Sequence, residues 1–166
     1  MIKISDLNKA YKAVEEENYR FRIYLKQHAD PDELDQHFKD LHKKIYMAYD
    51  CSSCRNCCIV YSGNFSHDEI NPAAKYLRMS SKEFMDMYID DNNGLNVKAL
   101  PCSFLQEDGS CRLNGCKPRS CKNYPFLNKP DRISSLLSLV KSTEDCPIVY
   151  EAFEELKRIY RYNKYK

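Results

Sequence analysis

Cysteine constrains this chain more than any other residue. Nine of its 166 residues are Cys, and they arrive in groups: Cys51-x2-Cys54-x2-Cys57-Cys58, then Cys102-x8-Cys111-x4-Cys116-x4-Cys121, and last Cys146 followed by Pro147. A C-x2-C segment wraps a turn so that two sulfurs approach one centre, and a third repeat supplies three corners of a tetrahedron. A set of small buried hydrophobes is the plainer use of Cys, but it suits vicinal Cys57 and Cys58 in a loop poorly. Disulfides are the other use. The odd count forbids complete pairing, and the opening Met1-Ile2-Lys3-Ile4-Ser5-Asp6 lacks the apolar stretch of a secretory signal. The expected compartment is therefore the cytoplasm, where thiols stay reduced and metal is their common use.

The remaining composition narrows the field. Lys and Arg number 26 against 24 Asp and Glu, and a net charge of +2 argues against a nucleic-acid or membrane partner. No apolar run approaches the roughly 18 residues of a membrane span. The length fits a single domain over 1–166. Within it the reading places a helical hairpin at 1–50, a cysteine-cluster metal-binding region at 51–148, and a C-terminal helix with a basic tail at 149–166. The predicted fold is mainly α with irregular loops and a small β-hairpin, the helical hairpin packed on the cysteine-rich domain.

Periodicity supports that division. Ile4, Leu7, Tyr11, Val14, Asn18, Phe21, Leu25 and His28 recur by threes and fours, the mark of one helix seam on which Asn18 either fixes register or faces water. Asp30-Pro31-Asp32-Glu33 reads as a cap with Pro in the first turn, opening a second amphipathic stretch through Leu34, Phe38, Leu41, Ile45, Ala48 and Tyr49. The pair is expected to pack on the chain's own cysteine domain rather than form a partner-binding coiled coil. Further helices are expected from Ser66-His67-Asp68-Glu69 to about Arg78, from Ser80 to Ile89, and from Pro147 through Tyr162. Glu107-Asp108-Gly109-Ser110 is a hairpin turn signal, and Pro118, Pro125 and Pro130 leave the following stretch mostly irregular.

The cysteine pattern resembles the YkgJ-like cysteine-cluster family, a zinc- or iron-chelating (CxxCxxCC) domain. Beyond the first cluster, Cys102-Ser103-Phe104-Leu105 is similar to the family's C-x-F-L element. Cys111 through Lys117-Pro118-x2-Cys121-x2-Tyr124-Pro125-Phe126 is similar to its C…RP-x2-C-R-x-Y-P-F element, and Cys146-Pro147 to its closing C-P. The resemblance covers about residues 51–148. It implies Cys51, Cys54, Cys57, Cys58, Cys102, Cys111, Cys121 and Cys146 as metal ligands. Three departures stand out: Arg55 replaces the usual Gly, Lys117 replaces the usual Arg, and Cys116 is an extra thiol read as structural or redox-active.

The division of the eight thiols stays open at this level. Neighbouring Cβ atoms diverge, so Cys57 and Cys58 are expected to face different centres. One centre can take Cys51, Cys54 and Cys57 with the remote Cys146, as ferredoxin-type segments do. Cys58 can then turn to Cys102, Cys111 and Cys121; a single cluster that leaves some thiols aside is the other arrangement. Ferredoxin-like spacing favours an iron–sulfur cluster, and separated pairs favour zinc. The reading prefers iron–sulfur, with zinc as the alternative.

Other chemistry is scarce. There is no H-E-x-x-H, G-x-S-x-G or P-loop, the cysteine spacing is not C-x3-C-x2-C, and Gly63, Gly94, Gly109 and Gly115 are isolated. His28, His37 and His42 are read as surface or core residues, and His67 as a capping-turn residue. The tail Lys157–Lys166 interleaves five cations with three tyrosines, read as a basic helix end. Two function classes result. The first is a metal-binding module that binds or delivers something to a protein partner, with contact expected on the N-terminal hairpin. The second follows from the resemblance: flagellin lysine N-methylases carry a similar domain and use SAM, which implies a SAM-dependent protein lysine methyltransferase-like enzyme.

Overall fold

The structure is a computed structural model and describes residues 1–162, all but the side chain of Ser52. Asn163 to Lys166, the end of the basic tail, lie outside the described residues. Along the chain run α1 (Ile4–His28), α2 (Pro31–Ala48), α3 (Cys51–Cys54), α4 (Asn56–Val60), β1 (Asn64–Phe65), α5 (His67–Tyr76), α6 (Ser81–Tyr88), β2 (Ile89–Asp90), β3 (Leu95–Val97), α7 (Arg119–Asn123), α8 (Arg132–Ser142) and α9 (Pro147–Ile159). The protein is mainly helical with a small antiparallel sheet, and it divides into two compact units. One comprises Met1–Asp50 with Pro125–Lys166, the other Cys51–Tyr124.

The first unit is built from four helices. Leu7, Tyr11, Asn18, Phe21 and Leu25 of α1 are buried, as are Leu34, Phe38, Leu41 and Ile45 of α2. These seams are covered by α8 and α9, which arrive from the far end of the chain. The seam is thus filled from within the chain rather than left for a coiled-coil partner. Phe21 and Phe38 both meet Phe153 edge-on, with ring centroids 6.4 and 6.2 Å apart. Asn18 is fully buried and donates to Thr143 Oγ1 at 3.3 Å, so it fixes register rather than facing water. The Asp30 cap forms as expected, its carboxylate accepting from the backbone N–H groups of Asp32 and Glu33 at 3.0 Å.

Helix α8 is a correction, because the prolines had suggested an irregular stretch. Its N-terminus is capped from α2: the Asp35 carboxylate accepts the N–H groups of Asp131 and Arg132, each at 2.7 Å. The buried Arg132 guanidinium donates to the carbonyls of Phe126 and Pro130 at 2.9 Å and closes the loop before the helix. Helix α9 begins at Pro147 as read but ends at Ile159. There Arg161 turns left-handed (φ 48°) and the Tyr162 N–H bonds back to the Lys157 carbonyl at 2.8 Å, a Schellman closure.

The second unit is made of short pieces. Helices α5 and α6 start at capping boxes, Ser66 with Glu69 and Ser80 with Glu83. The sheet order is β1-β3-β2, with Phe65 opposite Leu95 and Ile89 opposite Val97. Helix α6 ends at Tyr88, and Asp91-Asn92-Asn93-Gly94 forms the turn between β2 and β3, with Gly94 at φ 96°. The turn expected at 107–110 does form, but it flanks a single bridge between Leu105 and Cys111. Phe65, Phe84, Tyr88, Phe104 and Leu113 form the core of this unit, and Cys102, Cys111 and Cys116 pack against its edge. Among the described residues no helix is long and apolar enough to cross a membrane.

Candidate metal centre

The first cysteine cluster occupies two helical turns that the sequence could not join in a straight line. Helix α3 carries Cys51 and Cys54, α4 carries Cys57 and Cys58, and Arg55 between them sits at φ 52°. Left-handed backbone costs a residue with a side chain about 1–2 kcal/mol, which accounts for glycine as the usual occupant. The Arg55 N–H bonds the Cys51 carbonyl at 3.3 Å and its carbonyl accepts from Cys58 N–H at 2.9 Å. Cys57 and Cys58 stand on the same turn of α4, and the Cys57 thiol bears on that of Cys58.

Three connections arrange the second cluster, the first of them on Cys58 itself. The N–H of Cys102 donates to the Cys58 carbonyl at 2.7 Å. The 106–110 turn folds Cys111 back opposite Leu105, with Arg112 N–H on the Phe104 carbonyl at 2.8 Å. Helix α7 sets Cys121 over buried Gly63, and Ser120 beside it exchanges two hydrogen bonds with the backbone of Asn64. Tyr61, stacked on Tyr124 with centroids 5.3 Å apart, completes this side.

Electrostatics show which thiols are neighbours. The Cys57 hydrogen bond pulls Cys58 below the ordinary thiol range, against the effect of burial and with help from Arg55 and Lys117. Burial pushes Cys121 up to about 11, and the charges of Cys102, Cys58 and Cys111 push in the same direction. Burial also raises Cys102, assisted by Cys58 and Cys111. Cys58 and Cys111 thus both bear on Cys102, and all three bear on Cys121. Both cationic departures from the family pattern, Arg55 and Lys117, act on the same member of this group. Cys116 is raised by burial and by Cys111.

The donor set suits a thiophilic metal. The negative charges that raise Cys102 and Cys121 make these thiols unfavourable as anions together, and a cation beside them reverses that penalty. Among the described residues, which include all nine cysteines, there is no disulfide. Also among them, no three His, Cys, Asp or Glu side chains stand close enough as they are to enclose an ion. The thiols are gathered but not closed.

The sequence model of the CxxCxxCC family, described as a "putative zinc- or iron-chelating domain", matches residues 50–151. The chain belongs to this family. No curated protein and no solved structure matches it. The CxxCxxCC match covers the whole second unit and extends into the first through α8 to the opening of α9. Cys146 lies in that extension: it precedes Pro147 as the N-cap of α9 and is buried in the helical unit. Cys51 is exposed and Cys54 half-buried in α3. His67 occupies the first turn of α5 at the surface, and His28, His37 and His42 belong to the helical unit. Sequence reasoning missed Gly63 and Ser120. The isolated Gly before a short strand was the available signal for the first.

Proposed function

We propose that this CxxCxxCC protein is a binding or delivery module that holds an iron–sulfur cluster through the thiolates of its second unit and acts with a protein partner. Cys58, Cys102, Cys111 and Cys121 form the inner ligand set, and Cys51, Cys54 and Cys57 supply the adjoining ferredoxin-spaced thiols. The observation that carries this reading is the backbone link between the two cysteine segments, Cys102 N–H on the Cys58 carbonyl at 2.7 Å, with the Cys121 sulfur against Gly63 five residues after Cys58. The ferredoxin-like spacing Cys51-x2-Cys54-x2-Cys57 favours iron–sulfur over zinc. When bound, such a cluster supplies a structural anchor and an electron-accepting centre. The chain's own contribution is to hold Cys58 as a thiolate near Arg55 and Lys117 and to keep Cys102 and Cys121 protonated until a cation arrives. Metal capture therefore releases protons.

The test is elemental. Protein purified without oxygen, and protein reconstituted with iron and sulfide, should contain iron and acid-labile sulfide and show the broad visible absorption of thiolate-bound clusters. Stoichiometric zinc with no such absorption after reconstitution would overturn the iron assignment and retain the thiolate centre.

A further inference from the structure

Gly63 is the residue next to β1, and its carbonyl accepts the Val97 N–H at 2.9 Å. Gly94 and Gly109 have left-handed backbones, with φ of 96° and 79°, and so owe their identity to conformation. Gly63 has no such backbone requirement. Its constraint is space: a Cβ there would stand 2.9 Å from the sulfur of Cys121, closer than real Cβ contacts come. The sulfur occupies the room that any other side chain would need.

The contact is part of a stitch between two segments. Ser120 Oγ donates to the Asn64 carbonyl at 2.6 Å and accepts the Asn64 N–H at 3.1 Å. Arg119 donates its N–H to Glu69 at 2.8 Å, and its guanidinium bonds Ser66 at 2.7 Å and Asp68 at 2.8 Å. Three successive residues, 119 to 121, are thereby fixed on the segment that runs from Gly63 into α5. A helix as short as α7 has little rigidity of its own. Its cysteine is aimed by these outside contacts.

We propose that Gly63 is a positioning residue for the metal centre: its missing side chain, with the Ser120 clamp on Asn64, seats the Cys121 sulfur where it serves as a ligand. This rests on the reading of Cys121 as a ligand. Outer contacts that orient a ligand typically change metal affinity by about 10–100-fold when removed.

The probe is Co2+ added to the reduced full-length chain, with thiolate-to-cobalt charge transfer reporting both affinity and the number of sulfur ligands. Gly63→Ala should weaken cobalt binding at least tenfold, on the order of a lost outer contact, and lower the charge-transfer intensity as Cys121→Ser does. In the Cys121→Ser background, Gly63→Ala should add nothing, because it acts only through that sulfur. Gly115→Ala is the steric control: its Cβ would meet the exposed Tyr76 ring at 2.8 Å, which can swing aside, and the signal should persist. Ser120→Ala keeps the space at Gly63 and loosens only the clamp, so it should lower affinity with the circular dichroism unchanged, even if Gly63→Ala fails to fold. A wild-type signal unchanged in Gly63→Ala, or additive losses in the double variant, would overturn the inference while the thiolate centre stands. No charge transfer in the wild type would overturn both.

Discussion

The two units reach a folded state by different means. The helical unit has helices of 25 and 18 residues and buries a continuous set of large side chains, Phe21, Phe38, Phe153, Leu136 and Leu156 among them. The cysteine unit has helices of 4 to 10 residues and strands of 2 or 3, joined by capping boxes and backbone stitches. Elements that short do not hold themselves. The first unit rests on burial of apolar surface. The second has its aromatic core on one side and, on the other, a group of thiols that oppose one another until a cation joins them. The comparison predicts that metal dependence is greatest in Cys51–Tyr124.

The largest effect should follow from metal removal. Structural metal sites contribute on the order of 10 kcal/mol of folding free energy. Chelation, or Cys102→Ser, should therefore abolish amide-exchange protection across 51–124 while α1, α2, α8 and α9 keep theirs. Hydrogen exchange read by mass spectrometry checks this segment by segment. Uniform loss over both units would break the contrast, and full protection in the metal-free protein would show that the aromatic core of the second unit suffices.

The converse change belongs to the helical unit. Phe38 is fully buried against Phe153, and Phe→Ala in a packed core costs about 3–5 kcal/mol. Phe38→Ala should lower the thermal transition of the helical unit and leave the metal content per chain unchanged. A fall in metal content in parallel with stability would mean that the two units do not keep separate accounts.

What the sequence shows of this molecule follows the same line. Features set by neighbours in the chain were readable: the Asp30-Pro31 cap, the capping boxes at Ser66 and Ser80, the helix start at Pro147, and the cysteine spacings with their family. Features set by distant residues were not. Helix α8 depends on Asp35, 97 residues before Arg132, to cap it. The sheet strands are too short for period-two patterning, although Asn93-Gly94 is itself a hairpin signal. Gly63 reads as an isolated glycine until Cys121 is placed over it.

The smallest effect is expected at Cys116, and it decides whether proximity or mere cysteine content defines the centre. Cys116 lies in the same unit as the inner set and packs against the same aromatic core as Cys102 and Cys111. Its N–H bonds the Leu113 carbonyl at 2.9 Å, and its thiol is raised by burial and by the charge of Cys111. It is also the extra thiol relative to the family's cysteine spacing. Cys116→Ser should therefore retain the full metal content and visible spectrum, with a stability cost of about 1 kcal/mol from exchanging a packed sulfur for a hydroxyl. Metal loss equal to that of Cys102→Ser would place Cys116 inside the ligand set and require the four-thiol grouping to be redrawn around Cys111.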